Sequence, residues 1–392
     1  MTTATAPTTG GRTQVRLATS VFLLNGLALS TWIVRVPALK HDLDLTDVQV
    51  GGLGVAFAVS AIVAMQVVGA VVQRYGSTAV LRVVLVAMPV LLAVGGSAPG
   101  PLSLTVAAAA LGAAHGTTDV AMNAHAVAVE RAVERPILNG CHAAWSASAV
   151  LASLASAGVA ALGVSTRSYL WLAGALLLAA GLLLGLAIRP LAADASTVRP
   201  RGRERWTRPL VVLGLTGTLL MVCEGSALGW GALLLQDVHG VPLGVATLTV
   251  TAYTAAQTGS RLLGDRWSQR RGAARVYRVG ALLAAAGLAV AVLAPVPTLA
   301  ILGFAVMGTG MATLLPLTFS AVGLVAGDTS LPHAVARFTT FTYGGVLLGP
   351  ALVGAAAEVA GLPLTLGCLV PALLVLGVTH RLPEQDDGTF RG

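Results

Sequence analysis

Of 392 residues, 56% are hydrophobic and only 10% are charged, where a soluble domain carries about 25% charged residues; an ordinary water-soluble protein is excluded. Twenty-four basic against sixteen acidic residues give a formal charge of +8, but the placement of that charge between apolar segments argues for membrane topology and against a nucleic-acid partner. Stretches of roughly 20 apolar residues span a bilayer as helices, and the alternation that a membrane β-barrel needs is absent, so the chain reads as an all-α membrane protein.

In chain order, residues 1–16 predict a disordered cytoplasmic N-terminus, with Thr, Ala, Gly and Pro dominating the first twelve. The first apolar run leads into Arg35 and Lys40 without a small-residue cleavage site, so no cleavable signal peptide is expected. Six spans are predicted at 17–36, 48–72, 79–97, 103–128, 138–162 and 168–188. A basic cytoplasmic linker follows at 189–208, containing Arg199, Arg201, Arg203 and Arg205. Six more spans are predicted at 209–234, 244–264, 274–294, 299–321, 334–357 and 363–380, ahead of a cytoplasmic tail at 381–392. Pro316 and Pro350 interrupt the tenth and eleventh spans, where kinks are expected. Cys141, Cys223 and Cys368 lie in apolar segments without metal or disulfide spacing and read as small buried hydrophobes.

The two sets of spans are copies in one register. Gln73-Arg74-Tyr75-Gly76 recurs as Gln269-Arg270-Arg271-Gly272, and 272 − 76 = 196. Arg82 recurs as Arg278, Gly112 as Gly308, Pro136 as Pro332 and Gly158 as Gly354 at that same separation. Two homologous halves, 17–188 and 209–380, in the same membrane orientation follow, which is the duplicated plan of a secondary transporter. Nearly all arginines fall in one set of loops, among them Arg74, Arg131, Arg189, Arg266 and Arg337; the opposite set holds Arg35, Lys40 and Arg167. The positive-inside rule puts the first set and both termini in the cytoplasm, so the span count is even, and twelve fits. The charge also attracts anionic lipid heads.

Ionisable groups inside spans cost about 2.5–3.5 kcal/mol each at the bilayer centre on insertion scales, so they point to function. His115, Asp119 and Asn123 are four apart and share one face of the fourth helix. Asp119 is expected to take up a proton or to bind a substrate hydroxyl or amine; the alternative is an aspartate fixed between helices. Glu224, mid-way along the seventh helix, aligns with Asn25 in the first, one polar group per half; the alternative is a helix–helix hydrogen bond. Asn139 and His142 open the fifth helix on one face, to donate to substrate, to close an inner gate, or to cap and pack. Tyr253 and Gln257 are candidate substrate contacts, and Arg261, four further on, is expected to snorkel to the cytoplasmic face. Trp32 and Trp230 suit an interfacial belt or a stacking surface for a sugar.

Two six-helix halves, a basic central loop and cytoplasmic termini resemble the major facilitator superfamily. The family's loop between helices 2 and 3 reads G-x-x-x-D-R/K-x-G-R-K/R; here Gly69-Ala70-Val71-Val72-Gln73-Arg74-Tyr75-Gly76 has Gln73 in place of the acid and lacks the trailing basic pair. The second half keeps Gly264-Asp265-Arg266, and the resemblance makes Arg74, Gly76, Asp265 and Arg266 gating-loop candidates. Trp32 to Leu39 and Asp119-Val120-Ala121-Met122-Asn123 resemble the fucose-permease-like branch, which carries an acid in helix 1 where this chain has Asn25. The resemblance implies the twelve-helix major facilitator fold with a pseudo-twofold between halves, a monomer, and alternating access about a central site.

The expected function is secondary active transport of a small polar, sugar-like solute in a bacterial inner membrane, by proton-coupled symport through Asp119 and Glu224. The substrate stripe would be Asn25, His115, Asp119, Asn123, Asn139, His142, Glu224, Tyr253 and Gln257. Proton-driven efflux of a metabolite or drug is the first alternative, and a membrane sensor that does not transport is the second. No phosphate loop, zinc spacing or nucleophile elbow is present in the sequence, so neither an enzyme nor a cofactor or metal is expected; the partners expected are solute, protons and lipid.

Overall fold

The computed structural model describes residues 9–190 and 207–379. Residues 1–8 of the expected tail, 191–206 of the expected linker and the expected tail at 381–392 lie outside the described residues. All regular structure among the described residues is helical: α1 (Thr9–Asp42), α2 (Asp47–Tyr75), α3 (Ser77–Gly95), α4 (Pro101–Val133), α5 (Leu138–Ala161), α6 (Thr166–Ala187), α7 (Arg208–His239), a short α8 (Leu243–Ala246), α9 (Leu248–Arg271), α10 (Ala273–Leu293), α11 (Pro297–Met311), α12 (Leu314–Ala360), α13 (Leu362–Gly367) and α14 (Leu369–Thr379). They supply the twelve spans of the fold, with α11 and the start of α12 forming the tenth and α13 with α14 the twelfth. Nine stretches among the described residues are long and apolar enough to cross a bilayer by themselves; α4 and α9 are not among them. Those two helices carry His115, Asp119 and Asn123, and Gln257, Arg261 and Asp265, which lower their hydropathy.

Several helices run past the expected boundaries, and two departures change the plan. α1 starts at Thr9, so residues 9–16 extend the first helix, with Arg12 and Arg16 on its exposed side. The tenth span is divided at Ala312–Thr313, and α12 then runs to Ala360 through the stretch expected to be a loop. Pro316 is the third residue of α12, in the first turn, where its missing N–H costs no helical bond. The expected kink is thus a break placed just ahead of the proline. Cys141 and Cys223 are buried, whereas Cys368 is exposed; no disulfide joins them among the described residues.

The described residues pack as two compact units. One comprises 9–137, 141–190 and 328–337; the other comprises 138–140, 207–327 and 338–379. In the first unit α4 packs on α1, α2 and α3, and α6 on α1 and α3. Trp32 is buried there in a cluster with Leu92, Leu104, Leu111, Tyr169 and Leu170. In the second unit α11 packs on α9 and α10, and α10 on α14.

The internal repeat extends to backbone detail. Gly76, between α2 and α3, has φ 84° and ψ 151°; Gly272, between α9 and α10, has φ 79° and ψ 143°. Both glycines sit in the region that disfavours a Cβ, and each closes the preceding helix, on Val72 O at 2.7 Å and on Ser268 O at 3.0 Å. A Cβ on Gly112 would collide with the carbonyl oxygen of Phe57, and one on Gly308 with that of Tyr253, where 253 − 57 = 196 again. Each copy therefore brings two helices to backbone contact through the same glycine, the close approach that small residues allow in a membrane.

Candidate functional site

Asn25 lies at the middle of α1, 16 residues from Thr9 (25 − 9) and 17 from Asp42 (42 − 25). α4 packs against α1 and sets His115 against it: His115 Nδ1 is 3.2 Å from Asn25 Oδ1, and both residues are buried. The His115 ring also lies 5.6 Å from that of Phe57 on α2. One turn further, Asp119 is 18 residues from the start of α4 (119 − 101) and 14 from its end (133 − 119), deep in the helix at about 1.5 Å per residue. Asn123 Nδ2 donates to Asp119 O at 2.8 Å and lies 3.4 Å from Asp119 Oδ1. Among the described residues no basic side chain pairs with Asp119. Asn25 Nδ2 and Asn123 Oδ1 are buried without a hydrogen-bond partner among the described residues, a state that buried amides rarely keep. The first unit therefore joins Asn25 to His115 and Asp119 to Asn123. The His142 ring lies edge-on to that of Phe22 at 5.2 Å.

The second unit gathers Glu224, Tyr253, Gln257 and Arg261. Glu224 is at the middle of α7, 16 residues from Arg208 (224 − 208) and 15 from His239 (239 − 224). Gln257 Nε2 donates to Tyr253 Oη at 3.2 Å, both buried on α9. Arg261 does not snorkel to the surface: it is 4% exposed, Nε donates to Ala312 O at 3.2 Å, and Nη2 is 4.0 Å from Glu224 Oε2. The reason lies in the chain. In an unbroken helix the Ala312 carbonyl would accept from the N–H four residues on, and that residue is Pro316, which has none. The carbonyl is left for Arg261, and Glu224 offers a counter-charge, so the guanidinium is held inside.

Asn139 is committed to Asp265, one of the residues singled out above as a gating-loop candidate. Asp265 Oδ1 accepts from Asn139 N at 3.1 Å and Asn139 Nδ2 at 3.0 Å, and Oδ2 accepts from Gly140 N at 2.8 Å. Residues 138–140 group with Asp265 in the second unit. Glu130 Oε2 accepts from Ile137 N at 2.8 Å, so two carboxylates cover the unsatisfied amides at the start of α5. Gly264 permits the approach: a Cβ there would stand 2.7 Å from Asn139 Cγ. Arg74 is exposed with its guanidinium 5.2 Å from the Tyr75 ring centre, and Arg266 is exposed.

Two buried ionisable side chains among the described residues escape the sequence reading. Arg35, assigned to an outer loop, is buried inside the longer α1; its Nη2 donates to Ser156 O at 2.9 Å and its Cζ stands 4.4 Å over the Tyr169 ring. His125 Nδ1 is 3.1 Å from Ser77 Oγ. The apolar flanks Trp32-Ile33-Val34 and Val36 are the signal that could have found Arg35.

A family model described as the Major Facilitator Superfamily matches residues 18–249 and again 213–387. The chain is 33% identical over 348 residues to an uncharacterized transporter of Sinorhizobium fredii, covering 86% of this chain and 90% of that one. It is 30% identical over 392 residues to an uncharacterized MFS-type transporter of Yersinia pestis, covering 96% and 97%, and 28% identical over 378 residues to the membrane protein MosC of Rhizobium meliloti, covering 93% and 90%. Among solved structures, the E. coli fucose:proton symporter FucP superposes with a TM-score of 0.78 at 16% identity, covering 93% of this chain and 97% of that one. The human organic anion transporter MFSD10 gives 0.75 at 15%, covering 94% and 99%, and the proton:xylose symporter XylE gives 0.72 at 13%, covering 93% and 94%. At these identities the structures share the fold alone. Matched by the family model along nearly its whole length, and by full-length relatives, the chain belongs to the major facilitator superfamily of membrane transporters.

Proposed function

We propose that the protein is a proton-coupled symporter of a small polar, sugar-like solute in a bacterial inner membrane, with both termini in the cytoplasm and halves 17–188 and 209–380 rocking in alternating access. The observation that carries this reading is Asp119, a carboxylate deep in α4 with Asn123 beside it and no cation paired to it among the described residues. An ionised carboxylate alone at that depth costs about 2.5–3.5 kcal/mol, and taking up a proton removes the cost. Glu224 differs, because Arg261 Nη2 stands 4.0 Å away. In this reading Asp119 carries the proton, and the Glu224–Arg261 pair answers to solute. Asn25 and Asn123 hold out the unpaired amide atoms that a hydroxylated solute would meet, and His115, Tyr253 and Gln257 complete the polar lining. Asn139, His142, Arg74, Gly76, Asp265 and Arg266 belong to the gates. The fucose and xylose proton symporters among the structural neighbours support the class of solute and the coupling ion. A potential of 100 mV is worth about 2.3 kcal/mol per charge moved, enough to concentrate solute roughly fiftyfold.

Proteoliposomes test the proposal. With an imposed proton gradient and a panel of labelled sugars and polyols, wild-type protein accumulates one solute uphill. Asp119→Asn loses accumulation yet keeps solute exchange. Accumulation at the wild-type level in Asp119→Asn overturns the coupling, and proton-driven exit of preloaded solute replaces symport with efflux. No flux in either direction points to a sensor.

A further inference from the structure

The second unit holds a slot of about 170 Å³ between the ends of α9, α10 and α11, lined by Trp267, Arg271 and Arg275 at one end and by Val279, Leu283 and Thr309 beyond. None of its lining residues belongs to the polar cluster of Glu224, Tyr253, Gln257 and Arg261. Trp267 and both arginines are exposed, and among the described residues neither arginine is paired with an acid. The tight turn at Gly272 brings Arg271, the last residue of α9, next to the start of α10, with Arg275 in its first turn. The positive end of the α10 dipole lies at the same place. Arg275, Val279 and Leu283 follow one another at intervals of four and share one face of α10. The slot is thus cationic at the loop end and apolar for about 12 Å along the helix.

The repeat supplies an internal comparison. Subtracting 196, Val276 and Val279 correspond to Val80 and Val83, so the apolar wall is common to both copies. Trp267, Arg271 and Arg275 correspond to Val71, Tyr75 and Ala79. The first copy holds a valine, a tyrosine and an alanine at these three positions, so the repeated helix pair does not demand a tryptophan and two guanidiniums there.

We propose that this slot binds an anionic phospholipid of the leaflet that meets the basic loops. The phosphodiester sits between Arg271 and Arg275, Trp267 lies at the headgroup level, and one acyl chain runs over Val279 and Leu283. Bidentate guanidinium contacts suit phosphate, and basic pockets between spanning helices hold anionic headgroups.

The test uses the purified full chain in detergent. Thermal unfolding is followed with phosphatidylglycerol, with phosphatidylcholine and with inorganic phosphate, and bound lipid is counted by native mass spectrometry. Phosphatidylglycerol is expected to raise the unfolding midpoint of the wild type, while the other two leave it unmoved. Arg271→Ala/Arg275→Ala is expected to lose the shift and to bind phosphatidylglycerol at least tenfold more weakly. Arg270→Ala/Arg278→Ala, which removes the same charge from exposed positions outside the slot, is expected to keep both. A full shift in the slot variant overturns the proposal. So does an equal loss in the control variant, which would mean diffuse attraction only, or an equal shift with phosphate or phosphatidylcholine.

Discussion

His115 Nδ1 stands 3.2 Å from Asn25 Oδ1, joining the middles of two spanning helices through a pair that is almost wholly buried. With Asn25 Oδ1 accepting, the ring proton is on Nδ1. Asn25→Ala removes the acceptor and leaves that donor buried, and hydrogen bonds between membrane helices contribute up to about 1–2 kcal/mol. The prediction is a lowered unfolding midpoint for Asn25→Ala, a similar one for His115→Ala, and a double variant no worse than either. Thermal unfolding in detergent closes the cycle; additive losses would mean that the two residues act independently.

The Glu224–Arg261 pair predicts an asymmetric rescue. Arg261→Ala leaves Glu224 without its cation, a loss of about 3–5 kcal/mol for a fully buried pair, and less here because Glu224 is 21% exposed. Arg261→Ala/Glu224→Gln removes the stranded charge and is expected to recover most of the expression and thermal stability. A double variant as unstable as Arg261→Ala would show that the Ala312 carbonyl, and not Glu224, is the partner that matters.

Pro316 enters the same argument through the backbone. Pro316→Ala supplies an N–H at the position that would bond Ala312 O in a continuous helix, in competition with Arg261 Nε. Stability is expected to stay level or rise, since a helical bond is gained, while transport falls because the guanidinium loses its anchor. Flux in proteoliposomes, compared with unfolding midpoints, separates the two effects; unchanged flux would show that Arg261 does not need that carbonyl.

Much of this is legible in the sequence, and the part that is not has a common cause. The register of 196 residues is readable because helix packing repeats the same glycine, so Gly112 and Gly308, or Gly76 and Gly272, appear in both copies. Residues 115, 119 and 123, like 253 and 257, can be assigned to one face because a spacing of four fixes the face. Their partners cannot, because a helical period says nothing of which helix is opposite. Arg35 and Arg261 look like loop or snorkelling residues until Tyr169 and Ser156, or Ala312 and Glu224, are seen around them. Asn139 reads as an open donor until the Asp265 carboxylate is found on its amide.

The paired glycines give a prediction with an internal control. Gly112→Val and Gly308→Val place a side chain against the carbonyls of Phe57 and Tyr253, and overpacking of this kind costs about 1–3 kcal/mol. Both variants are expected to unfold at lower temperature. Gly225→Ala, where a Cβ meets nothing within 4 Å, is expected to match or exceed the wild type, since alanine favours helix over glycine by about 1 kcal/mol. Equal midpoints for all three variants would remove backbone contact as the reason for the repeated glycine.

Asp265 carries the last prediction, on gating. Its carboxylate accepts three donors at the start of α5, two of them backbone amides that no helical bond satisfies. Asp265→Asn keeps the shape but removes the charge and one acceptor oxygen, while Asn139→Ala removes a single donor. Loss of an N-terminal cap costs about 0.5–2 kcal/mol, so Asp265→Asn is expected to do more harm than Asn139→Ala. If the contact also holds a gate, Asp265→Asn changes the rate at which a cysteine placed near the end of α5 reacts with a soluble thiol reagent, and Asn139→Ala changes it less. A shift in stability with no change in that reactivity would confine Asp265 to capping and take it out of the transport cycle.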